Sequence, residues 1–144
     1  PIDDYCEEMD YLGANRRFTA ADCICTNPPF NRADEFIVRA LRDTQSAAGM
    51  VCMLLPTDFD HAAKRAHMFE DCPQFARKIV LRRRISWFAG TSEDKGKNPM
   101  GNHAWFIWDW RHHGAPLISY MRPEKRPQEA RRRQRKVAAT LLAA

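Results

Sequence analysis

The tetrapeptide Asn27-Pro28-Pro29-Phe30 contains the residues of this chain whose types and spacing best suit chemistry. It follows a short apolar run at residues 22–26, which predicts a buried parallel strand. Proline has no N–H for a sheet ladder, so this strand must end at Pro28, and the residue before a proline is biased toward extended backbone. We therefore expect a rigid corner at the carboxyl end of a strand, where open α/β sheets place their ligand crevices.

The groups at this corner suit a planar amine. The Asn27 carboxamide and the Pro28 carbonyl are two acceptors that can take both hydrogens of an –NH2 group and direct its lone pair outward. Phe30 adds a flat apolar face on which a ring can stack. Because positioning would then supply most of the rate, no strong general base is needed. The corner predicts a pocket that presents an exocyclic amine for in-line attack on an electrophile.

Asn27-Pro28-Pro29-Phe30 resembles motif IV, the (Asn/Asp/Ser)-Pro-Pro-(Tyr/Phe) signature of S-adenosylmethionine-dependent amino-methyltransferases. The likeness is strongest to the DNA adenine-N6 methyltransferases of bacteria, their restriction-modification systems and phages. The resemblance implies that the four residues are catalytic and that the substrate is an adenine flipped out of duplex DNA. It also implies a cytoplasmic enzyme.

The same resemblance implies where the cofactor S-adenosylmethionine would be bound. In the family, an acidic residue followed by an aromatic one precedes motif IV and contacts the cofactor, and Asp10 and Tyr11, with Asp10 17 residues before Asn27, match that position. Asn27 would also contact the cofactor.

The family's Gly-rich cofactor turn is not found among the six glycines. We therefore expect a member that lacks its N-terminal cofactor half, on which methyl transfer would depend. Its first strand would expose a hydrophobic edge, to be covered by a missing segment, another chain or a homo-oligomer.

The apolar pattern predicts the elements that position this corner. We expect a helix over residues 31–44 with Asn31 as N-cap and Asp34 and Glu35 in its first turn. Strands are expected at 50–55, 75–83 and 103–110 and a helix at 62–69. The long polar loop at 86–102 is typical of a functional lid or of a disordered segment. By resemblance, the last strand returns antiparallel between its neighbours. The predicted fold is α/β, the C-terminal half of a Rossmann-like class I methyltransferase sheet over residues 1–120, followed by a basic tail at 121–144 with a helix from Pro127.

The net charge of +5 is concentrated in that tail, where residues 122–136 contain eight Lys and Arg against two Glu. Such a segment suits phosphate binding. Other candidate nucleic-acid contacts are an arginine run and the cationic and aromatic residues of the long loop, namely Arg82, Arg83, Arg84, Trp87, Phe88, Lys95 and Lys97.

The five cysteines are odd in number and mostly lie in apolar runs, which predicts buried thiols in a reducing compartment. Cys23 and Cys25 would share one face of a strand, but the histidines lie far from this pair without metal-ligand spacing, so no metal site is expected. No apolar run approaches the roughly 20 residues of a membrane span.

Three alternatives remain open at this point. Amino-methyltransferases that act on rRNA guanine-N2 or on a protein glutamine also present a planar –NH2 at this motif. A third alternative is a non-catalytic remnant that binds nucleic acid through the basic tail.

Overall fold

The computed structural model describes residues 10–13, 20–85 and 101–121. These ranges contain one α-helix, α1 (Ala33–Thr44), and five strands: β1 (Cys23–Thr26), β2 (Met50–Pro56), β3 (Phe75–Leu81), β4 (His103–Asp109) and β5 (Leu117–Met121). The strands form one mixed sheet in the order β1-β2-β4-β3-β5. The predicted α/β class is confirmed. Within these ranges no helix combines the length and apolar character that crossing a bilayer requires.

The position of β4 decides which groups meet at the edge of the sheet. β4 lies between β2 and β3 and is antiparallel to both, as expected, whereas β1 and β2 are parallel. The carboxyl ends of β1, β2 and β3 therefore lie at the same edge, together with the amino end of β4. We call this edge the carboxyl edge.

One face of the sheet carries the core. Ile37 on α1 belongs to the same core cluster as Met53, Phe106 and Trp108, and all four are fully buried. Trp108 satisfies its indole N–H by donating to the Met68 carbonyl oxygen (2.7 Å). The remaining members of this core come from α1, β2, β3, β4 and the segment after β2: Ala33, Ala40, Val51, Leu55, Phe59, Met68, Phe69, Phe75 and Ala104. This core holds α1 and the strands in fixed positions around the Asn-Pro-Pro-Phe corner.

The segment after β2 differs from the predicted helix at 62–69. It forms 3₁₀ turns at Phe59–His61 and Ala63–Met68. Arg65 explains the departure, because it donates to the Asp34 carboxylate and to the Phe59 carbonyl oxygen (both 2.9 Å) while its guanidinium lies 3.7 Å from the Phe59 ring centroid. A 3₁₀ turn rises further per residue than an α-turn. The segment can therefore bring Phe59 and Met68 into the core from both of its ends.

The start of α1 also differs from the prediction. Asn31 is not the N-cap; it lies inside a 3₁₀ turn (Phe30–Arg32), and Arg32 occupies the cap position without a side-chain cap hydrogen bond. The turn is closed by the Arg32 N–H, which donates to the Pro29 carbonyl (3.0 Å). Asp34 and Glu35 do lie in the first turn of the helix, as predicted.

The prediction of buried cysteines is wrong for Cys23 and Cys25, which are exposed, while Cys52 and Cys72 are half-buried. Cys6 lies outside the described residues. The physical reason is that β1 is an outer strand of the described sheet. Strand β5 was not predicted; it extends the sheet by pairing parallel with β3.

Candidate functional site

The corner after β1 has the rigidity that its prolines predict. Pro29 has φ −60° and ψ 123°, and its carbonyl is used by the turn that leads into α1. Pro28 is buried, which anchors the corner, whereas Asn27 is exposed. Within the described ranges the Asn27 side chain has no hydrogen-bond partner, so its carboxamide is available to a ligand.

Phe30 forms an aromatic surface at the carboxyl edge. Its ring lies against the His103 ring with a centroid separation of 5.8 Å and an interplanar angle of 40°. His103, at the start of β4, is only 4% exposed, whereas Phe30 is 40% exposed. One side of the Phe30 ring is therefore supported by the protein while the rest faces solvent, as a stacking surface requires.

An apolar groove of about 440 Å³ runs along β1 up to Thr26, the residue before Asn27. Tyr11 and Phe36 form part of its walls, with ring centroids 5.4 Å apart. The Tyr11 hydroxyl donates to an Asp43 carboxylate oxygen (3.0 Å), which ties the residues before β1 to α1. Burial, and after it the Asp43 carboxylate, raise the pKa of Tyr11 far above its usual range, so this hydroxyl remains protonated.

Of the three predicted cofactor-binding residues, Asn27 lies at the corner, and the structure places the other two, Asp10 and Tyr11, differently from each other. Tyr11 lines the groove, whereas Asp10 is exposed beside it and accepts the Leu12 N–H at 3.1 Å. One Asp10 oxygen is therefore already used in a local turn. The groove supplies apolar walls for a ring and for methylene groups. Among its described lining residues there is no carboxylate to bind a ribose.

The arginine run lies at the same edge as the corner. Arg82, Arg83 and Arg84 follow β3 and are exposed. Arg84 donates from Nε to the Asn102 side-chain oxygen (3.2 Å), just before His103. The other predicted nucleic-acid contacts, Trp87, Phe88, Lys95 and Lys97, lie outside the described residues, as does the basic tail from residue 122.

Sequence reasoning missed a group of polar residues at the carboxyl edge. Thr57 and Asp58 follow β2 directly, and Asn102 immediately precedes His103, the first residue of β4. The Thr57 N–H donates to the Asn102 carbonyl (2.9 Å), which brings the two segments together. The sequence contained a signal for Thr57 and Asp58, because both directly follow a buried strand that ends at a proline. Asn27 likewise follows a strand, immediately before a proline. In the described part of the chain, no cluster of three or more His, Cys, Asp or Glu could hold a metal ion.

Comparison of the chain with protein-family models, with characterised proteins and with solved structures found no match.

Proposed function

We propose that the chain transfers a methyl group from S-adenosylmethionine to the exocyclic N6 amine of adenine in DNA. The observation that carries this proposal is the joint exposure of Asn27 and Phe30 on a rigid corner at the carboxyl edge. The two groups offer a hydrogen-bond acceptor and a stacking face side by side, which is what an aromatic amine needs.

Each residue of the corner has a distinct role in this proposal. Asn27 Oδ1 and the Pro28 carbonyl oxygen accept the two amine hydrogens and so direct the nitrogen lone pair away from the corner. Phe30 stacks on the base, with His103 holding its ring in place. When bound, S-adenosylmethionine supplies an electrophilic methyl group, and positioning the amine against it provides most of the acceleration.

The groove beside β1 is the proposed place for the apolar parts of the cofactor, because it ends next to Asn27. Tyr11 and Phe36 would contact the adenine ring there. The ribose and the amino-acid end would need polar groups from outside the described lining.

DNA is the proposed substrate because cations lie at the same edge as the corner. Arg82, Arg83 and Arg84 are exposed there and would contact phosphates on either side of the extruded nucleotide. Such contacts position the duplex without reading its sequence.

The test is the transfer of a labelled methyl group from S-adenosylmethionine to duplex DNA, with structured RNA and a glutamine-containing protein as competing acceptors. We expect label in DNA adenine, and a loss of roughly 100-fold or more for Asn27→Ala, because the amine would no longer be positioned. Phe30→Tyr should retain activity, whereas Phe30→Ala should not. Asn31→Ala is the matched control, since Asn31 is an exposed asparagine in the adjacent turn.

If label appears only in RNA or only in protein, the DNA assignment is wrong. The chain would then be an rRNA guanine-N2 or a protein glutamine amino-methyltransferase. Calorimetry that detects no S-adenosylmethionine binding, together with no transfer to any acceptor, would reject methyl transfer by this chain. An equal loss in Asn31→Ala and Asn27→Ala would reject the role of the corner.

A further inference from the structure

A second pocket, of about 430 Å³, opens at the carboxyl end of β2. Its polar lining residues are Thr57, Asp58, His61, Lys78 and Asn102. It lies next to the aromatic surface of the corner, because Asn102 immediately precedes His103, whose ring contacts Phe30. The pocket and the corner are therefore neighbouring parts of one edge.

The charges in this pocket disfavour a phosphate. The Lys78 ammonium contacts both Asp60 carboxylate oxygens, at 2.8 and 2.7 Å, so its charge is already compensated. Asp58 is exposed and precedes the 3₁₀ turn Phe59–His61, but its carboxylate makes no cap hydrogen bond. A carboxylate that is not used by the fold accepts N–H donors and repels anions.

Two further groups complete the hydrogen-bonding pattern. Arg84 occupies the side-chain oxygen of Asn102, which leaves the Asn102 –NH2 group to donate. The Thr57 hydroxyl oxygen is buried and has no hydrogen-bond partner among the described residues. The pocket thus offers a carboxylate acceptor, an amide donor and a hydroxyl that can act as either, with the exposed His61 ring also in its lining.

We propose that this pocket binds an unpaired guanine base next to the methyl-acceptor nucleotide. A carboxylate accepts two neighbouring N–H groups at once. Of the four DNA bases, guanine presents two such donors, N1–H and the N2 amine, beside an acceptor, O6, which the Asn102 amide would contact. Adenine and cytosine present one amine beside a ring acceptor, and thymine presents one N–H between two carbonyls. That the ligand is a nucleobase rests on the proposed function; the choice of guanine rests on the groups in the pocket.

The test compares guanosine with inosine, which differs by lacking the N2 amine. In an NMR titration of the ¹⁵N-labelled chain, guanosine should shift the Thr57 and Asp58 amides and the Asn102 side-chain amide. It should bind about tenfold more tightly than inosine, because one hydrogen bond to a charged group is lost. Asp58→Asn should remove this preference. Asp71→Asn, which changes another exposed carboxylate outside the pocket, should keep it.

Equal binding of guanosine and inosine, guanosine shifts at other residues, or no guanosine binding would each overturn the guanine assignment. The proposed function is tested separately by methyl transfer and by adenosine shifts at Asn27 and Phe30. Methyl transfer without guanosine binding would remove only the guanine pocket. Guanosine binding without methyl transfer to any acceptor would remove only the catalytic proposal.

Discussion

At the scale of single residues, the surroundings of the Cys52 thiol change its chemistry. Cys52 on β2 pairs in register with Cys25 on β1, and Cys23 lies two residues before Cys25 on the same face of that strand. Burial, with these two thiols contributing next, raises the pKa of Cys52 to about 12. The folded protein therefore holds this thiol in its neutral form at pH values where an exposed thiol ionises.

We predict that stability falls at alkaline pH because of this thiol. A pKa that is higher in the folded state contributes stability below the unfolded value, near 9, and this contribution is lost as pH rises toward 12. The slope is at most about 1.4 kcal/mol per pH unit for one group, and less here because half-buried Cys52 keeps contact with solvent. Urea unfolding from pH 7 to 11 measures it, and Cys52→Ala should flatten the decline above pH 9. Parallel curves for both proteins over the whole range would contradict the prediction.

At the scale of elements, α1 depends on a narrow buried stripe. Ile37 is fully buried, whereas the next residue, Val38, is 41% exposed. Since consecutive helical residues lie about 100° apart, the two positions separate packing from helix propensity. The orientation of α1, and with it the corner that precedes it, rests on this stripe.

We predict that Ile37→Ala lowers the free energy of unfolding by about 2–5 kcal/mol, because it leaves a cavity between α1 and β2. The matched control, Val38→Ala, should change it by less than about 1 kcal/mol. Urea midpoints and m-values measure both effects. Equal losses in the two variants would show that α1 does not pack through Ile37.

These elements also show how much of the fold could be predicted from the sequence. The continuous apolar run of β2 and the helical spacing of α1 are local patterns, so both elements were predictable. Strand β5 was not, because four of its residues remain exposed and its pattern has no buried alternation. The 3₁₀ segment at Ala63–Met68 is set by Arg65 contacting Asp34, a tertiary contact that spacing does not reveal.

The candidate site likewise has one part that could be predicted from the sequence and one part that could not. The corner could be predicted, because prolines restrict the backbone locally. The support of Phe30 by His103 and the pairing of Thr57 with Asn102 could not, because they require knowing that β4 lies between β2 and β3. Which polar residues share an edge is decided by strand order, and strand order here came only from the family resemblance.

At the scale of the whole molecule, the described sheet has two outer strands, β1 and β5. Both strands carry solvent-exposed side chains, which are thiols on β1 and apolar side chains on β5. On β5, Leu117, Ile118, Tyr120 and Met121 are 49–66% exposed. An outer strand with unpaired backbone groups and apolar side chains is a template for pairing with another chain.

We therefore predict that the chain self-associates in a concentration-dependent manner and that Ile118→Lys weakens this association. Ile118 is 66% exposed, so the change should cost little folding stability, while a lysine on an outer strand opposes strand pairing. Ala115→Lys, which adds the same charge in the exposed turn before β5, is the control and should associate like the parent.

Sedimentation velocity across a range of concentrations measures all three proteins. A parent chain that stays monomeric, or two variants that associate equally, would show that β5 is not the contact. If β5 is the contact, the Asn27 corner of each copy lies away from it, because β1 and β5 are the outer strands on opposite sides of the described sheet.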